Sequence, residues 1–118
     1  LKEMTAKRRA VQAFYNWSFK DMKEIKLPMF SHTCQYYTMF AQRREELIDF
    51  LADAGVVTSV HFKPLYEMTY WAKGKKFPLP VCDRVWKQLI SLPVFFDIRW
   101  EEVEHVVHSV RQFYGYEK

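Results

Sequence analysis

The stretch from Gly55 to Tyr70, G-V-V-T-S-V-H-F-K-P-L-Y-E-M-T-Y, decides how the rest of the chain is read. Val56, Val57 and Val60 are β-branched and suit a pleated, half-buried surface, which predicts a strand over Val56–Phe62. Pro64 has no N–H to give a ladder and biases Lys63 toward extended geometry, so regular pairing should stop there. His61, Lys63 and Tyr66 then fall on a proline-stiffened loop at the end of a rigid strand. Such a loop can aim an imidazole, an ammonium and a phenol at a ligand. These three are the candidate substrate-binding residues.

Upstream of this stretch, Gln42–Ala54 is the clearest helix. Glu45 and Glu46 sit in its first turn, where the helix dipole favours them, and Leu47, Ile48, Leu51 and Ala54 form an inward stripe. Gly55 is its expected left-handed stop. Cys34–Ala41 is aromatic, Thr-containing and apolar on both faces, which predicts a strand interior to a sheet. Leu1–Lys20 reads as an amphipathic helix through Met4, Val11, Tyr15 and Phe19, widened by Phe14 and Trp17. Lys20–Phe30 reads as a polar connection.

Downstream, Met68–Pro80 is broken by Gly74, Pro78 and Pro80. Val81–Ile90 predicts a short helix with Val81, Val85 and Leu89 inward. Ser91–Phe95 is interrupted by Pro93 and can be an edge strand at most. A last helix starts at Asp97 or Arg99, lined by Val103, Val106, Val107 and Val110. The order predicts an α+β fold, a small mostly antiparallel sheet covered by helices.

The chain has 118 residues, one domain by length, and 49% apolar with 27% charged residues excludes a disordered chain. At 18% aromatic, it holds more rings than one small core should need, so some should face another domain or subunit. The net charge of +4 is spread over small basic clusters, so nucleic-acid binding is not expected. Two cysteines cannot build a zinc site or a disulfide framework, which makes a reducing, cytoplasmic setting the default. No apolar run approaches the roughly 20 residues of a membrane span.

Few residues could run chemistry. His105 and His108 stand three apart on the last helix but lack a third metal ligand with suitable spacing. Three glycines cannot form a phosphate-cradling loop. No nucleophile–base pair has positional support, so no catalytic residue is assigned.

The string T-S-V-H-F-K-P-L-Y, then Tyr70, Phe77-Pro78, Ser91-Leu92-Pro93 and Glu101-Glu102-Val103, resembles one known region. It is similar to the C-terminal segment of the DegT/DnrJ sugar aminotransferases, fold type I enzymes dependent on pyridoxal phosphate. Members read G-I-x-T-x-x-H-Y-x-P-L-H, F-P, L-S-L-P and T-D-E-E-V. Arg8-Arg9 with Tyr15, and Arg44-Glu45-Glu46-Leu47, fit the same order. The chain departs from the pattern at Tyr66 and Gln35, where the family often has His, and at Phe62, where it has Tyr. Arg99-Trp100 replace Thr-Asp, leaving Asp97 as the expected cap of the last helix.

The resemblance implies a whole enzyme about three times this length, whose cofactor lysine lies upstream in an S-x-H-x-x-K context that is absent here. Residues 1–118 would be its small domain, without the N-terminal large domain, and Leu1 as first residue would mark a cut. Implied too are a nucleotide-sugar substrate, homo-oligomeric assembly, and pyridoxal phosphate in the full-length enzyme, with none bound to this chain. The fragment alone would be inactive. The alternative from the residues themselves is a free-standing α+β module that binds an anionic ligand or a partner protein.

Overall fold

The computed structural model describes residues 2–28, 35–60, 80–95 and 97–117. Among the described residues seven elements follow in order: α1 (Lys2–Phe19), β1 (Ile25–Lys26), β2 (Tyr37–Ala41), α2 (Arg44–Asp53), α3 (Pro80–Trp86), β3 (Leu89–Leu92) and α4 (Trp100–Phe113). The strands form one antiparallel sheet in the order β1-β2-β3. Register is set by Ile25 opposite Ala41 on one side of β2 and Met39 opposite Ile90 on the other. The α+β class predicted from the element order is therefore the architecture observed.

The core follows from helical and strand periodicity. Val11, Tyr15 and Phe19 of α1, Leu47 and Leu51 of α2, and Val103, Val106 and Val110 of α4 are buried around Tyr37, Met39 and Ile90 of the sheet. α4 packs against both α1 and α2, and α2 also meets β3. Two buried phenols are satisfied within this core. Tyr15 donates to the Pro93 carbonyl at 2.6 Å, and Tyr37 donates to Asn16 Oδ1 at 2.8 Å.

Several expectations need correction. The connection Lys20–Phe30 holds a short strand, β1, because Ile25 reaches the core and pairs with the end of β2. The strand expected over Val56–Phe62 is, through Val60, a single antiparallel bridge from Ser59 to Ser91; Phe62 lies outside the described residues. β2 pairs with β1 and β3, and the described part of Val56–Phe62 reaches this sheet only through the antiparallel Ser59 bridge to β3.

The helix expected over Val81–Ile90 stops at Trp86 and buries none of its residues, while Leu89 and Ile90 belong to β3. Its carbonyl at Trp86 is taken by the Arg44 side chain, and the chain then enters the sheet. β3 is an edge strand of the described sheet, as foreseen for this region, but it ends before Pro93 rather than spanning it. On α1, Met4 and Trp17 are exposed instead of inward, and α4 is capped at Arg99 rather than Asp97. There the Glu102 carboxylate accepts the Arg99 backbone N–H at 3.0 Å, the half of a capping box that a glutamate three residues into the helix supplies, and no side chain at the cap accepts from the first turn.

Candidate functional site

His61, Lys63 and Tyr66 lie outside the described residues, as does everything from 61 to 79. What is described is the root from which that segment leaves. Gly55 closes α2 with φ of +84°, a conformation that glycine adopts without strain. The Val56 N–H returns to the Leu51 carbonyl at 2.8 Å, and Val56 is buried. Ser59 then exchanges both backbone hydrogen bonds with Ser91, at 3.2 and 2.7 Å. The Ser91 hydroxyl is in turn 2.7 Å from the Thr38 hydroxyl. The chain two residues before His61 is thus pinned to β3, and through it to β2.

Arg44 is the polar residue that sequence reading missed. It is buried, although a helix-facing arginine reads as surface by pattern. Its Nη1 donates to the carbonyls of Trp86 and Leu89, both at 3.0 Å, and its Nη2 pairs with Glu45 at 2.7 Å. It thereby ties the start of α2 to the α3–β3 turn. The only sequence signal was a first-turn cation beside two carboxylates, where dipole logic favours acids alone.

An open cavity of about 550 Å³ lies between Gly55–Val57, Pro93–Phe95 and the N-terminal turns of α4. Ile98 and Val106 form its apolar floor, and Arg99, Glu101 and His105 stand on its rim. Arg99 and the backbone N–H it carries hold the Glu102 carboxyl below its usual range. His105 Nε2 is 2.8 Å from the Ala54 carbonyl, so this nitrogen carries the proton and donates. His108 meets the Glu117 carboxylate. Both histidines are exposed, and no metal-holding cluster exists among the described residues.

At the opposite end, Arg111 donates to the Ser18 carbonyl at 2.6 Å, to Asp21 at 2.9 Å and to Glu117 at 3.1 Å. Its hydrogen bond holds the Asp21 carboxyl below the usual carboxylate range. Tyr116 donates to Glu24 at 2.6 Å, which raises the phenol's pKa. These contacts fasten the chain end to the turn after α1 and are structural. Gln35, at one of the departures from the family pattern, is exposed.

The described residues therefore present a rigid root and an apolar cavity, with no assembled nucleophile, base or cofactor seat. The chain is 30% identical over 89 residues to the pleiotropic regulatory protein of Geobacillus stearothermophilus, covering 70% of this chain and 23% of that protein. It is 26% identical to the dTDP-3-amino-3,6-dideoxy-alpha-D-galactopyranose transaminase of Aneurinibacillus thermoaerophilus, covering 93% and 31%. The solved structure of DesV from S. venezuelae superposes with a TM-score of 0.85 at 22% identity, over 97% of this chain and 33% of that one. The chain thus spans 23% to 33% of the length of these relatives. Matching over residues 1–111, the chain belongs to the DegT/DnrJ/EryC1/StrS aminotransferase family.

Proposed function

We propose that this chain is the C-terminal small domain of a sugar aminotransferase that moves an amino group from an amino acid, glutamate by our assignment, to a keto nucleotide-sugar. The observation that carries the reading is the family match over residues 1–111. Similar proteins named as transaminases of dTDP- and UDP-linked amino sugars support a nucleotide-sugar as the substrate class. The missing N-terminal large domain would account for the part of those relatives that this chain does not span. In this reading the whole enzyme is a cytoplasmic homo-oligomer, and the small domain contributes substrate closure and subunit packing.

Pyridoxal phosphate, which the family implies, supplies the electron sink for amino-group transfer when bound. The described residues do not fit it. A Schiff-base lysine needs a desolvated pocket that lowers its pKa. Lys20, Lys23, Lys26 and Lys87 are exposed, and Lys7 rests on the Trp100 ring. The cofactor lysine and phosphate cup are therefore assigned to the large domain, and the 118-residue chain by itself is assigned no activity. His61, Lys63 and Tyr66 are assigned to the substrate side: imidazole and phenol to sugar hydroxyls, ammonium to the diphosphate.

The coding DNA upstream of Leu1 tests the domain assignment. A reading frame running back into a lysine-bearing domain is the expected result, and a start codon just before Leu1 overturns it. The product of the whole frame, given glutamate and dTDP- or UDP-linked keto sugars, is expected to release 2-oxoglutarate. No release with either nucleotide overturns the substrate class.

A further inference from the structure

The antiparallel bridge between Ser59 and Ser91 does not continue toward the ends of α2 and α4. Its register sets Val57 opposite Pro93 and Gly55 opposite Phe95, and Pro93 has no N–H to give a ladder. The two segments part there and become facing walls of the open cavity of about 550 Å³. A second hollow of about 270 Å³ lies on the other side of Gly55–Val57, against Ile48 and Ala52 of α2. Both hollows share that segment, so one apolar groove crosses from α4 to α2 with Val57 as the ridge between its halves. Val57 is 83% exposed, and Phe95 on the far lip is 45% exposed. Apolar side chains left wet in one joined, concave surface mark a place where a partner docks. The groove is also firmly built, through the Ser59–Ser91 exchange on one side and the His105–Ala54 hydrogen bond on the other.

The charge around the groove is one-sided. Residues 43–58 hold two Arg against four Asp or Glu, and residues 93–106 hold one against four, a balance of −5 within a chain of +4. All three arginines are already held by neighbouring glutamates: Arg43 by Glu46, Arg44 by Glu45 and Arg99 by Glu102. Asp49 and Asp53 stand on the α2 turns that carry Ile48 and Ala52, and Glu101 stands on the α4 lip. These three are exposed and have no ion pair among the described residues. The uncommitted charges flanking the apolar floor are therefore negative.

We infer that this groove docks an amphipathic segment of a partner protein, which seats an apolar side chain on each side of Val57 and turns Lys or Arg toward Asp49, Asp53 and Glu101. Two other occupants fit less well. A second copy using the same groove would set acidic lips against acidic lips, which disfavours association. A small apolar molecule would fill one hollow, leave Val57 and the other hollow wet, and make no use of the carboxylates. The inference rests on the groove alone and does not depend on the aminotransferase reading.

The test takes the product of the whole reading frame that contains this chain and a short fluorescent peptide of leucine and lysine, with its leucines on one helical face. Binding is followed by anisotropy. Val57→Lys should weaken capture about tenfold, whereas Val81→Lys, the same change at an exposed valine of α3, should leave it within about twofold. Asp53→Asn combined with Glu101→Gln should weaken capture about fivefold and lower its salt dependence. Glutamate in place of the peptide's lysines should abolish it. Thermal unfolding identifies any variant that loses its fold, and Phe95→Ser on the opposite lip replaces Val57→Lys if that one does. Any of five results overturns the inference. The whole product does not capture the peptide; capture survives Val57→Lys or falls equally with Val81→Lys; the two carboxylate changes leave it untouched; the glutamate peptide binds as tightly; or light scattering finds a dimer that Val57→Lys dissolves.

Discussion

Arg44 and Trp86 meet twice. Arg44 Nη1 donates to the Trp86 carbonyl at 3.0 Å, and its guanidinium carbon stands 5.3 Å from the centre of the Trp86 ring. One buried cation thus holds both the backbone and the side chain of a residue 42 positions away. Removing it would leave two part-buried carbonyls, those of Trp86 and Leu89, short of a donor. Arg44→Ala is expected to destabilise the chain by about 2–4 kcal/mol in denaturant unfolding. Arg44→Lys should recover only part of that, because one ammonium lacks the planar fork. Full recovery by lysine would mean that the guanidinium geometry is idle.

Leu51 is fully buried on the α2 face that meets the core. Leu51→Ala should cost about 2–5 kcal/mol through lost burial and the cavity left behind. A loss under about 0.5 kcal/mol would place that face elsewhere.

At Gly55 the backbone, not the space, decides. An added Cβ would meet nothing within 4 Å, but φ is +84°. Gly55→Ala is expected to cost about 1–2 kcal/mol from left-handed strain alone, and Gly55→Asn less. Equal stability of all three would mean that the turn relaxes freely.

Acid and alkali should each loosen the chain at named contacts. Arg111 lowers the Asp21 pKa, and Arg99 and Arg43 lower those of Glu102 and Glu46. For a depressed carboxyl the contribution is present above the unfolded value, about 3.9–4.3, and is lost as pH falls through the folded one. Tyr116 has the opposite sign: its hydrogen bond to Glu24 raises the phenol, so its contribution is lost as pH climbs past about 10. Asp21→Asn should therefore flatten part of the acid limb of a melting-temperature profile. An unchanged acid limb would remove Asp21 from that account.

Sequence pattern reached the long, strongly periodic elements: α1, α2, α4 and β2 were legible because each buries one stripe or row. It missed features that depend on a distant partner. Ile25–Lys26 becomes a strand only because Ala41 and Phe40 lie beside it. Leu89 and Ile90 looked helical from the valines before them, yet Met39 and Phe40 claim them for the sheet. Arg44 looked like surface because its acceptors lie more than forty residues on. The candidate contacts His61, Lys63 and Tyr66 rest on the pattern of a strand end running into a proline-stiffened loop, and only their root at Ser59 is described.

The dependence of α1 and α2 on α4 has a consequence for the order of events in the cell. α4 packs against both helices and follows them in the chain. A nascent chain that has not yet emitted Val103–Val110 leaves the inward faces of α1 and α2 wet, and long-range closure of this kind is slow. Synthesis alone would then time the appearance of the core. A chain released at residue 95 should be cut by protease along its whole length, whereas protection confined to residues 2–60 would show that the first half folds unaided.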